Sequence, residues 1–116
     1  MSAANTRSTS PNELELAILK RLPVAGESFE AERLTVVSRE LTGAGSYTTF
    51  EVAESLSNAA RSHVGLDKLI EVPSVPNGLG AVLWLRGGLP ECLEIYTYTE
   101  GNWDGSFQGF RIVDGA

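Results

Sequence analysis

The stretch GAVLWLRGGLPECLEIYTYTE, residues 80–100, restricts the fold more than any other part of the chain. Two runs of period-two alternation flank Gly87-Gly88, the pattern of a β-hairpin closed by a tight turn. In the first run Ala81, Leu83 and Leu85 share one face, and Val82 and Trp84 share the other. A strand apolar on both faces belongs at the centre of a sheet. In the second run Leu93 and Ile95 face one way, and Cys92, Glu94, Tyr96 and Tyr98 the other.

Other segments supply neighbours for this hairpin. RLTVVSREL (33–41), TTFEVAE (48–54) and DKLIEV (67–72) read as strands. Pro73 and Pro76 open an expected loop, PSVPNG, at 73–78. WDGS at 103–106 places Asp104-Gly105 at the tip of a second hairpin, and FQGFRIV (107–113) is the last strand, with Phe110 and Ile112 inward. SLSNAARSHVG (55–65) has the pattern of a helical turn or two, weakened by Ser57, Asn58 and Ser62.

One helix precedes the strands. In SPNELELAILKRLP (10–23), Ser10 is the expected N-cap, Pro11 the first helical position and Glu13 the end of a capping box. Leu14, Ala17, Ile18 and Leu22 fall on one face, widened by Leu16 and Leu19, and Pro23 stops the helix. A sheet with one apolar face needs a cover, and this stripe supplies it. The expected fold is therefore α+β, an N-terminal helix packed on a curved antiparallel sheet of about five or six strands. Residues 1–9 are polar and small, which predicts a disordered tail, and 10–116 form one α+β domain.

The net charge of −6 argues against nucleic acid and anionic membranes, because both require a cationic footprint. An acidic surface favours a basic protein partner. Cys92 is the single cysteine, so no internal disulfide forms, and Glu91 and Glu94 beside it oppose a thiolate. No signal peptide or membrane-length apolar run is present, so a cytoplasmic location is expected.

The chemistry-bearing candidates are few. SRELTGAGSYTTF (38–50) carries Gly43 and Gly45, but Thr48 stands where a dinucleotide fingerprint needs its third glycine, and a strand follows instead of a helix. A strand-to-strand connection with positive-φ glycines is the simpler reading, and the same loop offers Arg39, Glu40, Thr42 and Tyr47 to a partner. EGNWDGS (100–106) has the spacing of a calcium loop, yet Arg111 occupies the position of its bidentate Glu. His63 is the single histidine, which leaves triads and zinc sites incomplete. Glu94 shares a strand face with Tyr96 and Tyr98, an arrangement suited either to a raised carboxyl pKa or to a solvated sheet face. Trp84 and Trp103, with Tyr47, Tyr96 and Tyr98, suit an exposed aromatic patch or core pairing.

Two segments resemble those of small bacterial proteins of unknown function. VVSRELTGAGSYTTF is similar to an SReLTGxGxyTxF motif, matched by Arg39, Glu40, Thr42, Gly43, Gly45, Thr49 and Phe50. LWLRGGLPECLEIYTYTEGNW is similar to a GGLxxxLExYtY hairpin, matched by Gly88, Leu93, Glu94, Tyr96, Tyr98 and Trp103. Ala44 departs from the larger aliphatic residue of the first motif, and Arg86-Gly87 from the acidic residue before the turn of the second. The resemblance implies a compact domain and, through similar acidic proteins, an immunity or accessory role. It implies no reaction.

Three readings follow. The first is a non-enzymatic binding or accessory protein acting through an acidic, aromatic-bearing surface, with Arg39, Glu40, Thr42, Gly43, Gly45, Tyr47, Glu94 and Tyr96 as its residues. The second is a small-molecule pocket between sheet and helix, with Glu94 and Tyr96 as its polar end. The third is a homodimer through the edge strand FQGFRIV. None calls for a metal or cofactor.

Overall fold

The computed structural model describes residues 10–22, 29–98 and 102–114. The expected tail, 1–9, lies outside them. The described residues form a helix, α1 (Glu13–Arg21), and strands β1 (Val36–Leu41), β2 (Gly45–Phe50), β3 (Arg61–Gly65), β4 (Lys68–Val72), β5 (Val75–Arg86), β6 (Leu89–Thr97) and β7 (Arg111–Asp114). Their strands make one antiparallel sheet in the order β1-β2-β6-β5-β4-β7, with β3 also paired to β5.

The two-sided apolar strand is central, as its composition predicts. β5 is 12 residues long and holds β6 along one side. Along its other side it holds β4, near Val75 and Leu79, and β3, at Val82–Arg86. The strand begins earlier than expected, and only Pro73-Ser74 turn the chain before it. Pro76 is tolerated because β6 pairs with β5 only from Leu79 onward and the β4 ladder is irregular there, so no N–H is missed.

Residues 55–65 are not helical beyond a single 3-10 turn, Glu54–Leu56. Their second half is β3. Without it the edge of β5 at Val82–Arg86 would leave backbone groups unpaired, and that tertiary demand outweighs weak helix propensity. The turn at Asp104-Gly105 exists, with Gly105 at φ 88°, but no hairpin follows it. β7 pairs with β4, not with β6.

The helix starts later than expected. Asn12, not Ser10, is its N-cap, and Glu15, not Glu13, completes the capping box. The Glu15 N–H donates to Asn12 Oδ1 and the Asn12 N–H donates to Glu15 Oε1, each at 2.8 Å. Pro11 precedes the cap and is buried. Leu14, Ile18, Leu19 and Leu22 are buried, and they join β-strand residues such as Ile70, Leu79, Leu83, Leu93 and Ile95 in one apolar cluster. The helix thus covers one face of the sheet, called here the inner face.

The register fixes what the opposite, outer face carries. One outer row crosses the sheet as Glu40, Tyr47, Glu94, Val82 and Gly65. The next is Ser38, Thr49, Cys92, Trp84 and His63. Between them runs the inner row Arg39, Thr48, Leu93, Leu83 and Val64.

Candidate functional site

The outer face is the side of the sheet that α1 leaves open, and it gathers the polar and aromatic residues of the central strands. Glu94 sits at its middle. Its carboxylate accepts from Trp84 Nε1 at 3.3 Å and from the Tyr47 hydroxyl at 3.4 Å. No Lys or Arg among the described residues forms an ion pair with it. The Glu94 charge, followed by partial burial, pushes the Tyr47 hydroxyl above its usual range, so Tyr47 remains a donor at neutral pH. Tyr47 is 40% exposed and Tyr98 53%. A solvent-facing aromatic set around a carboxylate is thus available.

The far end of the same face has the opposite charge. Arg61 lies over the Trp84 ring at 5.1 Å, and His63 packs against that ring at 4.9 Å. Arg61 and Arg86 both donate to Glu91, at 2.9 and 3.0 Å. Burial would raise the Glu91 carboxyl, but the two guanidiniums outweigh it and hold the group below its usual value. Two cations share one anion here, whereas Glu40 and Glu94 flank Tyr47 at the other end. The face is therefore a dipole with an acidic pole on β1, β2 and β6.

Cys92 lies half-buried on this face. Burial raises its thiol pKa; a hydrogen bond with Thr49 opposes this, and the charges of Glu94 and Glu91 add to the rise. A raised pKa favours the thiol over the thiolate, which disfavours nucleophilic chemistry here. His63 neighbours Trp84 instead of Asp67, because its segment is a strand and side chains four apart do not meet there. No cluster of three or more His, Cys, Asp or Glu among the described residues is arranged to hold a metal. Glu100 of the calcium-like spacing lies outside the described residues.

Tyr96 occupies a corner built by glycines. It is the register partner of both Gly45 and Gly80, and a Cβ at Gly80 would lie 2.6 Å from its ring and from the Tyr98 hydroxyl. The Tyr96 and Tyr98 rings meet edge to face at 5.4 Å. Burial, then the Tyr98 hydroxyl, raises the Tyr96 pKa.

The remaining sequence candidates are elsewhere. Arg39 is on the inner face, where Nε and Nη2 each donate to Glu15 at 2.8 Å. Thr42, Gly43 and Gly45 shape the β1–β2 hairpin. The Thr42 N–H donates to Gly45 O, while Gly43 O and Ala44 O accept from the N–H groups of Trp103 and Thr97, each at 2.9 Å. Gly43 has φ 88° as expected, but Gly45 is an ordinary extended strand residue. Glycine is required there for space, since a Cβ would stand 1.9 Å from Ile95 O. Of the eight candidates, then, Glu40, Tyr47, Glu94 and Tyr96 share the outer face. Glu94 and Tyr96 do not line the space between helix and sheet. Residues that do, Glu15 and Ser46 among them, escaped the sequence reading. The one available signal was the Asn12–Glu15 spacing of a capping box.

Comparison of the chain with models of protein families, with curated proteins and with solved structures finds no match.

Proposed function

We propose that this chain is a non-enzymatic accessory protein, immunity-like in mode, that occludes a protein partner by taking a lysine- or arginine-bearing segment onto the acidic pole of its outer face. The observation that carries this reading is the state of Glu94. Its two donors are aromatic and neutral, so its charge is oriented but not cancelled. A cation placed there meets a carboxylate beside the exposed Tyr47 ring, a combination that ammonium and guanidinium groups favour. Glu40 beside Tyr47 and the net charge of −6 add attraction at longer range. Aromatic anchors are where binding energy concentrates. We place this activity in the cytoplasm, where a lone thiol such as Cys92 stays reduced.

The protein's two tryptophans make the test direct, since Trp84 is on this face and Trp103 is buried on the other side of the sheet. A lysine- and arginine-rich peptide is titrated while both indole N–H resonances are followed by NMR. The Trp84 signal should move and the Trp103 signal should not. Glu94→Gln should weaken the peptide roughly tenfold without lowering the melting temperature by more than a few degrees. Failure of the Trp84 signal to move, or an equal response to a peptide with glutamate in place of each cation, would sink the proposal.

A further inference from the structure

A second site lies on the inner face, at the N-terminal end of α1. A cavity of about 260 Å³ opens between the helix, the β1–β2 hairpin and the segment around Trp103. Its walls are Leu14, Leu41, Ile95, Trp103 and Phe107. Trp103 is held rigidly, with Nε1 donating to Ser106 O at 2.8 Å and its backbone N–H to Gly43 O at 2.9 Å. For scale, an engineered apolar cavity of about 150 Å³ takes benzene. This one has room for one ring with a short substituent.

The polar groups at its margin are donors left over from the network beneath. Ser46 is only 6% exposed and lines the cavity, yet its hydroxyl makes no hydrogen bond to another described residue. Every fully sealed side-chain N or O among the described residues has a partner, so this hydroxyl must open onto the cavity space. Arg39 also lines the cavity. It commits Nε and Nη2 to Glu15, with a longer Nη2 contact to Ser10 O, and leaves both hydrogens of Nη1 unused. Ser46 and Arg39 are diagonal neighbours on the paired strands β1 and β2, and both line the cavity.

The charges decide what kind of acceptor fits. Glu15 already neutralises Arg39, and Asp104 at the rim adds a negative charge. A carboxylate entering here would face two carboxylates and one spent cation. A neutral carbonyl has no such penalty and satisfies the same donors. We propose that this cavity binds a small, neutral, single-ring molecule bearing a carbonyl oxygen, with the ring against Trp103, Phe107, Leu14 and Ile95 and the oxygen accepting from Ser46 Oγ and Arg39 Nη1.

The site is independent of the outer face, and its test reads the other tryptophan. Phenylacetamide, phenylacetate and propylbenzene are titrated separately into the whole protein, again following the two indole N–H resonances. Phenylacetamide should move Trp103 alone and bind more tightly than the other two. Ser46→Ala should weaken it roughly five- to tenfold and leave propylbenzene unchanged. If Ser46→Ala fails to fold, Ser46→Cys, of similar size with a weak donor, gives the same comparison. No response of Trp103 to phenylacetamide up to its solubility overturns the site. Tighter binding of phenylacetate, or an unweakened serine variant, overturns the ligand class.

Discussion

Glu15 is where helix and sheet are joined by polar contacts. Its carboxylate is 2% exposed and accepts from Arg39 Nε and Nη2, the Thr48 hydroxyl and the Asn12 N–H, at 2.7 to 2.8 Å. Four donors fill the lone-pair positions a carboxylate offers. Burial alone would raise its pKa, but Arg39, Asn12 and Thr48 together reverse that and lower it. A carboxyl lowered in the folded state stabilises fully above its unfolded pKa, and the contribution is lost as pH falls through the folded value. Glu15→Gln should therefore cost about 2–3 kcal/mol at neutral pH, since one partner of a largely buried pair is removed. Urea titrations of both proteins down to acid pH should show the gap closing below the ordinary glutamate range. A gap that stays constant would mean that the charge of Glu15 is not what matters. Neither Glu15 nor Thr48 was legible in the sequence, where one is an acidic helix residue and the other a strand threonine. Their meeting depends on the strand register and the helix's seat. Arg39 stood out in its motif as a loop residue, whereas it lies in β1 and is bonded to Glu15.

At the scale of elements, β2 is shaped by the absence of a side chain. Gly45 lets β6 approach so closely that a Cβ would meet the Ile95 carbonyl at 1.9 Å and the Tyr96 Cα at 2.9 Å. The obstacles are backbone atoms of a paired strand, and they have no rotamer to change. Gly45→Ala should push β2 from β6 and cost about 3 kcal/mol or more, read as a lower denaturant midpoint and faster amide exchange in β6. Wild-type stability in this variant would mean that the hairpin shifts register without loss. The strands themselves were largely legible. Period-two alternation located β5 and β6, and the apolar stripe located α1, because each pattern reports the local period of the backbone. β3 was not, because its residues RSHVG carry no alternation and become a strand only where β5 offers an edge. The helix start was displaced because two residues with good capping side chains, Ser10 and Asn12, lie two apart, and only Asn12 places Glu15 inward.

Across the whole molecule, charge separates the two proposed sites. The outer face works through Glu94 and Glu40 and the net charge of −6, so its affinity is sensitive to screening. Raising ionic strength from about 0.01 M to about 1 M shortens the Debye length from about 30 Å to about 3 Å. Binding of the cationic peptide should fall by about tenfold or more over that range, while the neutral ligand of the inner cavity changes by less than about twofold. A peptide affinity indifferent to salt would mean that contact is apolar and Glu94 incidental. No helix among the described residues is long and apolar enough to cross a membrane. The two ends of the strand order are guarded. β7, which the sequence marked as an edge, is four residues long and tied to β4 by Arg111–Glu71 and Lys68–Asp114 pairs. β1, the other end of the strand order, is irregular between Val36 and Ser38 and carries Arg39 and Glu40. Such devices discourage edge pairing between copies.

The sequence by itself determined the α+β class, the central hairpin, the helix that covers one face and the acidic balance, because these follow from composition and from periodicities of two and of 3.6 residues. Tertiary structure alone decided which candidates share a face. Adjacent strand residues point to opposite sides, so Arg39 and Glu40, neighbours in the motif, are parted by the sheet. Glu94 meets Tyr47 and Trp84, residues 47 and 10 positions away, only because β6 lies between β2 and β5. Strand order is set by which long-range pairings bury the most apolar surface with every backbone group satisfied, a property of the assembled sheet that no local stretch of sequence encodes.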